Sequence, residues 1–225
     1  MSQSLEETAL SKVKRGPNRA SYDKDLAIEI IDAALMCHVG QTKDGQVFVT
    51  PTCHWREGDY FYWHAHSKAR NVKGPIDEPE KVCINVSLLD GLVLARSAMH
   101  HSVNYRSVTL FGVPELIDDK EEKVRQFKLF LDKVSPGRWE ALRPVNEQEI
   151  KATGVVRIKI EEASVKMRAE PPIDDPADNE WPVWAGVVPL KENGYRLSKT
   201  RFKRNTILSQ HRPMRTNTQK SQGQD

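Results

Sequence analysis

Between Val47 and Arg70 the chain reads VFVTPTCHWREGDYFYWHAHSKAR. Apolar and polar residues alternate up to Thr50, break at Pro51, and resume through Tyr60-Phe61-Tyr62-Trp63 after the turn Arg56-Glu57-Gly58-Asp59. Two short strands joined by a tight turn are the simplest structure with that pattern, so this part of the chain is committed to an antiparallel sheet. The second strand runs out into His64-Ala65-His66-Ser67-Lys68-Ala69-Arg70, which gathers imidazole, hydroxyl, ammonium and guanidinium groups at one strand end. Such a cluster suits an anion, most simply a phosphate, because Lys and Arg bring charge while Ser and backbone N–H groups complete the cage.

The same reasoning extends along the chain. A helix is expected from Tyr22 to Leu35, capped by Ser21 or Asp23, with Leu26, Ile30, Ala33 and Ala34 on one stripe. Met36 to Gln41 reads as a strand, and Lys43-Asp44-Gly45 as a hairpin signal into Gln46 to Thr50. Two prolines and several acids make Gly74 to Glu80 a surface loop. Lys81 to Leu89 alternates as a strand, Asp90-Gly91 signals a second hairpin into Leu92 to Ser97, and a long strand follows from Tyr105 to Glu115. Asp118 to Val134 carries Val124, Phe127, Leu131 and Val134 on one helical face before a Ser135-Pro136-Gly137 stop. A short helix from Asn146 to Ala152 has the Asn146/Glu149 capping pattern, and Val155 to Ile160 with Ala163 to Met167 form the last strands. Hairpin-linked strands flanked by a few helices predict an α+β, mainly antiparallel fold, a barrel or closed sheet rather than a doubly wound one. There is no GxGxxG and no P-loop, so any nucleotide must be held by other means.

With 225 residues, one domain with tails is expected: a polar N-terminal tail over residues 1–18, the domain over 19–190, and a C-terminal tail over 191–225. The tail from Lys191 to Asp225 holds 9 basic and 2 acidic residues and so carries the whole of the chain's net charge of +3. A solvated end rich in Ser, Thr, Gln and Asn accounts for it better than nucleic-acid binding does. No apolar run approaches the roughly 20 residues of a membrane span, and the N-terminus lacks the apolar core of a signal peptide, so a cytoplasmic protein is expected. Cys37, Cys53 and Cys83 contain no CxxC pair and read as reduced, buried thiols.

His64 and His66 have the spacing that places two imidazoles on one side of a strand. No carboxylate set or Asp-His pair completes a metal site, and the adjacent His100 and His101 point to opposite sides of a strand, so no metal is expected. Tyr60 to Trp63 reads as core or subunit interface before it reads as a wall for an aromatic ligand.

Further motifs carry a resemblance. Cys37-His38-Val39-Gly40, Val49-Thr50-Pro51-Thr52, Asp90 to Ser97 (DGLVLARS), His100 to Ser107 (HHSVNYRS), Asp174-Asp175-Pro176 and Val183-Trp184-Ala185-Gly186 together resemble the pyridoxamine 5'-phosphate oxidase-related flavin-nucleotide-binding proteins, which include relatives of nitroimidazole reductases. The likeness covers roughly Arg15 to Leu190 and implies a split β-barrel homodimer with FMN at the subunit interface. Carried over residue by residue, it implies that Thr50, Pro51 and Thr52 edge the flavin ring and that His64, Ser67, Lys68 and Arg70 hold its phosphate. Arg96, Asn104, Tyr105 and Arg106 would then lie near the flavin or the dimer cleft, with Trp184 over the ring. Many relatives have Ser-Arg where this chain has Ala69-Arg70, and the arginine and histidine motif that grips substrate phosphate in vitamin B6 oxidases is not found in the C-terminal part. The expectation is therefore an FMN-dependent oxidoreductase acting on a small molecule, with no side chain singled out as catalytic. The alternative is a flavin- or haem-binding carrier with little turnover.

Overall fold

The computed structural model describes residues 3–77 and 80–190; the basic tail of residues 191–225 lies outside the described residues. The elements in chain order are β1 (Ala20–Ser21), α1 (Lys24–Ala33), β2 (Met36–Lys43), β3 (Gln46–Glu57), β4 (Tyr60–His66), α2 (Arg70–Asp77), β5 (Val82–Leu94), β6 (Ser102–Gly112), β7 (Glu115–Leu116), α3 (Lys120–Val134), α4 (Glu147–Ala152), β8 (Thr153–Lys159), β9 (Glu162–Arg168) and β10 (Gly186–Pro189). The strands pair antiparallel in the order β1-β9-β6-β5-β2-β3-β4-β8-β7, with β10 added to β5. This is the expected α+β split barrel with flanking helices.

The sheet curls around one core. Val39, Phe61, Trp63, Ile84, Val86, Val108, Leu110, Val156, Ile158 and Val165 come from six strands, and with Ile30 and Ile31 of α1 they form a single buried cluster. Asp23 caps α1 by accepting the N–H groups of Asp25 and Leu26, and Ala27, Ile30 and Ile31 face the core while Ala33 is exposed. The buried stripe is thus rotated slightly from the one expected. A second cluster, Trp55, Tyr62, Ile117 and Val155, lies on the other face of the β3-β4-β8 corner under Phe127, Leu129 and Phe130 of α3. Near the N-terminus Leu5 is buried, its N–H donates to the Tyr22 carbonyl at 2.7 Å, and Glu6 bridges Glu162, so this polar segment is tied to the domain through one apolar side chain.

Four expectations need correction. β3 does not stop at Pro51 but runs twelve residues through it. Over 46–53 it pairs, among the described residues, with β2 alone, with Pro51 opposite His38, and an edge is where a strand tolerates proline. Asp90-Gly91 is not a hairpin: β5 continues for thirteen residues, and the pair is a bulge at which the β6 register shifts between Leu89 and Gly91. A Cβ at Gly91 would lie 3.1 Å from Val187 Cγ1 and from the Val188 carbonyl, so β10 packs close only over a glycine. The loop expected from Gly74 is in part α2, which runs through Gly74-Pro75 to Asp77. The Lys43-Asp44-Gly45 turn has the positive φ values of a two-residue hairpin, 51° at Asp44 and 73° at Gly45. Cys37 is buried, but Cys83 is exposed rather than buried; all three thiols are free.

Candidate functional site

Phosphate-binding groups gather where the β2-β3 turn meets the start of α2. Lys43, Asp44, Gln46 and Phe48 on one side and Lys68, Arg70, Lys73, Gly74 and Asp77 on the other line a cavity of about 550 Å³. The Arg70 guanidinium lies 3.8 Å over the Phe48 ring, and the Arg70 carbonyl accepts from Nε2 of the buried Gln41 at 3.0 Å. Lys73 pairs with Asp77 at 2.9 Å. Lys43, Lys68 and Arg70 have no carboxylate within ion-pair distance among the described residues, which leaves three cations facing one open cavity. That surplus suits an anion with several oxygens.

From this cavity β3 leads to the other strand end. Phe48, Thr50 and Thr52 alternate onto one face of the strand, opposite Gln41, Val39 and Cys37 of β2. The Thr52 hydroxyl donates to the His64 carbonyl at 3.2 Å, and the second edge of β3 over 46–53 has no strand partner among the described residues. Its free N–H and C=O groups offer a ladder for a flat polar rim to pair with.

His64 belongs to a different site. It shares the face of Tyr62, two residues before it, and that face lies under α3. Its ring meets Phe130 edge-on at 4.6 Å between centroids and Trp55 at 5.7 Å. With Phe127, Phe130 and Leu131 of α3, Trp139, Leu142, Arg143, Val145, Glu149 of α4 and Thr153 of β8, it lines an apolar pocket of about 430 Å³. Burial lowers the His64 pKa and so favours the neutral ring, and Nδ1 is buried without a hydrogen-bond partner among the described residues. At the pocket wall Arg143 donates to Glu149 at 3.0 and 2.5 Å, while Glu149 also accepts the Asn146 N–H and completes the α4 capping box.

The expected phosphate set His64, Ser67, Lys68 and Arg70 is therefore divided. Lys68 and Arg70 share the basic cavity, and His64 lies in the apolar pocket. Ser67 donates its backbone N–H to the Ala152 carbonyl and lines a third, small cavity of about 210 Å³ with Val72, Ile76, Leu116 and Gly154. His66 turns to the tight loop, where Nδ1 accepts the Lys68 N–H at 3.2 Å. Arg96 binds Asp174 through Nη1 and through its backbone N–H, both at 2.8 Å, and these bonds hold the Asp174 carboxyl below its usual pKa. Asn104 is buried between Arg168 and the Glu170 backbone, and Tyr105 pairs with Leu89 and Arg168 in the sheet. Arg106 grips the bulged Asp90 in two bonds at 3.0 and 2.8 Å. Trp184 is exposed and lies against Gly186, where a Cβ would come within 2.5 Å of the indole.

Several pocket residues were not foreseen. Lys43, Gln46 and Phe48 sit far from Arg70 in sequence, and Lys73 lies on a helix that was not expected, although the alternation of β3 places Phe48 on the face of Thr50 and Thr52. The α3 face bearing Phe127 and Leu131 was legible as apolar, but nothing in it distinguishes a pocket wall from core.

Residues 23–167 match the family described as pyridoxamine 5'-phosphate oxidase. The structure of the flavocytochrome Anf3 from Azotobacter vinelandii is 42% identical, with 92% of this chain and 94% of that one covered and a TM-score of 0.78. A FAD and heme binding protein from Mycobacterium smegmatis is 28% identical over 84% of this chain and 93% of its own, with a TM-score of 0.75. A 5-nitroimidazole antibiotic resistance protein from Bacteroides thetaiotaomicron, 23% identical over 65% of this chain and 85% of its own, shares the fold with a TM-score of 0.55. No curated protein matches.

Proposed function

The chain belongs to the pyridoxamine 5'-phosphate oxidase family of flavin-binding proteins, and from that premise we propose that it is a redox protein with two cofactors, a flavin and a haem. The observation that carries the second cofactor is His64: a neutral imidazole on an apolar pocket wall, with Nδ1 unpaired. A single such histidine is a fitting axial ligand for haem iron, and apolar walls favour the macrocycle over water. The Azotobacter relative is a flavocytochrome and the mycobacterial one binds FAD and haem, which supports the same reading here.

The flavin phosphate is assigned to Lys43, Lys68, Arg70 and Lys73, and the ring to the Phe48-Thr50-Thr52 face, where the free edge of β3 supplies hydrogen bonds. FAD is the favoured nucleotide, in place of the FMN first expected, because three uncompensated cations around about 550 Å³ suit a diphosphate better than a single phosphate, and the mycobacterial relative binds FAD. Bound flavin and haem supply two-electron and one-electron chemistry respectively, which makes a small-molecule oxidoreductase the natural activity. Met36, Val47, Val49, Leu89, Leu92 and Val103 leave apolar surface exposed on β2, β3, β5 and β6, as a homodimer requires.

The test is the absorbance spectrum of the purified full chain with mass identification of the released cofactors. Flavin bands and a Soret band are expected, with FAD released; FMN instead would revise the nucleotide alone. His64→Ala should lose the Soret band and keep the flavin, and a variant that retains haem would refute the assignment. Bleaching by NADH or NADPH with reoxidation by an added acceptor marks an enzyme, whereas colour without reduction marks a carrier.

A further inference from the structure

The apolar pocket contains a second feature that its histidine does not explain. Among its lining residues Arg143 and Glu149 are the charged ones, against an otherwise largely apolar set of Phe127, Phe130, Leu131, Trp139, Leu142 and Val145. Arg143 is two-thirds exposed, so it stands at the solvent side of the pocket, while His64 is mostly buried. Its guanidinium is fixed by two bonds to Glu149 and by a further one from Nη1 to the Pro144 carbonyl at 3.0 Å. Glu149 is fixed in turn by the Asn146 N–H and the α4 cap. An arginine held in place while its remaining donors face solvent is prepared for a carboxylate, because little side-chain freedom is lost when the ligand arrives.

We propose that Arg143 is the carboxylate-recognising residue of this pocket and binds a propionate of the haem whose iron His64 holds. The proposal rests on the haem reading above. An amphiphilic macrocycle entering an apolar pocket must leave its carboxylates at the wet end, and the cation at that end is Arg143. Arg143 thus selects ligands bearing a carboxylate from neutral ligands of the same shape.

The test compares haemin with its dimethyl ester, which keeps the macrocycle and iron and lacks both carboxylates, in titrations of the full chain stripped of haem. For the unaltered chain haemin should bind about three- to tenfold tighter than the ester, as expected for a partly exposed charged hydrogen bond. Arg143→Gln should lose that preference by weakening haemin alone, and Arg143→Lys should restore part of it. The rate of haem transfer to apomyoglobin should rise by the same factor in Arg143→Gln, with unchanged circular dichroism showing that the fold is intact. If Arg143→Gln keeps the full preference for haemin, Arg143 does not bind the propionate. If His64→Ala leaves the affinity for both porphyrins unchanged, the haem reading fails instead, and the two failures are read from different variants.

Discussion

The indole N–H of Trp63 donates to the carbonyl of Asn71 at 2.9 Å, and that carbonyl is the one whose i+4 helical donor is missing, because Pro75 has no N–H. A core strand thereby supplies the bond that the α2 sequence cannot make for itself, and it fixes the helix that carries Arg70 and Lys73 into the basic cavity. Trp63→Phe should cost about 1–3 kcal/mol, read as a urea midpoint, because it leaves a buried acceptor unsatisfied. Pro75→Ala restores an N–H at this position and should stabilise Trp63→Phe more than it stabilises the unaltered chain. Equal gains in both backgrounds would show that the two residues are not coupled.

Arg70→Ala removes the guanidinium stacked on Phe48 and one of three uncompensated cations. Flavin affinity, followed by fluorescence quenching on titrating the apo-protein, should fall roughly ten- to a hundredfold, the value of one charged hydrogen bond. Lys68→Ala should act in the same direction, and both losses should shrink at high salt. Unchanged affinity in Arg70→Ala would place the phosphate elsewhere.

His54 is fully enclosed, stacked on Phe61 at 4.7 Å, with Nε2 at 2.8 Å from the Ile31 carbonyl. Burial, followed by the nearby Lys133 charge, lowers its pKa from 6.5 to about 4. The folded ring stays neutral while the unfolded chain takes up a proton near 6.5, so the stability is complete above that pH and declines as pH falls from 6.5 towards 4. The loss should reach about 3 kcal/mol for this group. His54→Gln retains a donor for Ile31 and should flatten the decline in urea midpoints between pH 7.5 and 5; an equally steep decline would assign it to other groups.

Gln126 is wholly buried on α3, where Oε1 accepts the Trp55 indole N–H at 2.6 Å and Nε2 donates to Glu57 and Glu122 at 2.8 and 2.9 Å. Arg125 joins the same two carboxylates, which pins α3 over the sheet and sets the roof of the apolar pocket. Gln126→Leu should destabilise by about 1–3 kcal/mol through the orphaned indole. Adding Trp55→Phe removes the orphan and should recover part of that loss in thermal unfolding.

Local chemistry made much of this legible before any coordinates. The caps at Asp23 and Asn146, the Lys43-Asp44-Gly45 turn and the Ser135-Pro136-Gly137 stop are short-range features that nearby residues settle by themselves. Where reading failed, a long-range partner had changed the outcome. Pro75 reads as a breaker until Trp63 satisfies Asn71, and Asp90-Gly91 reads as a turn until β6 and β10 continue to either side of it. Pro51 reads as a strand end until the edge position of β3 is known.

The candidate sites divide in the same way. From its order of residues alone the chain determined that it forms antiparallel strands, that a basic cluster ends β4, and that His64 lies on the face of Tyr62, because the two-residue period of a strand is a local property. Which layer covers that face was decided only in three dimensions: α3 closes over Tyr62 and His64, while the turn after His66 carries Lys68 and Arg70 across to Lys43 and Phe48. Neighbours six residues apart in the chain thus serve two pockets, since β4 ends at His66 and the tight turn that follows redirects the chain into α2 before Arg70.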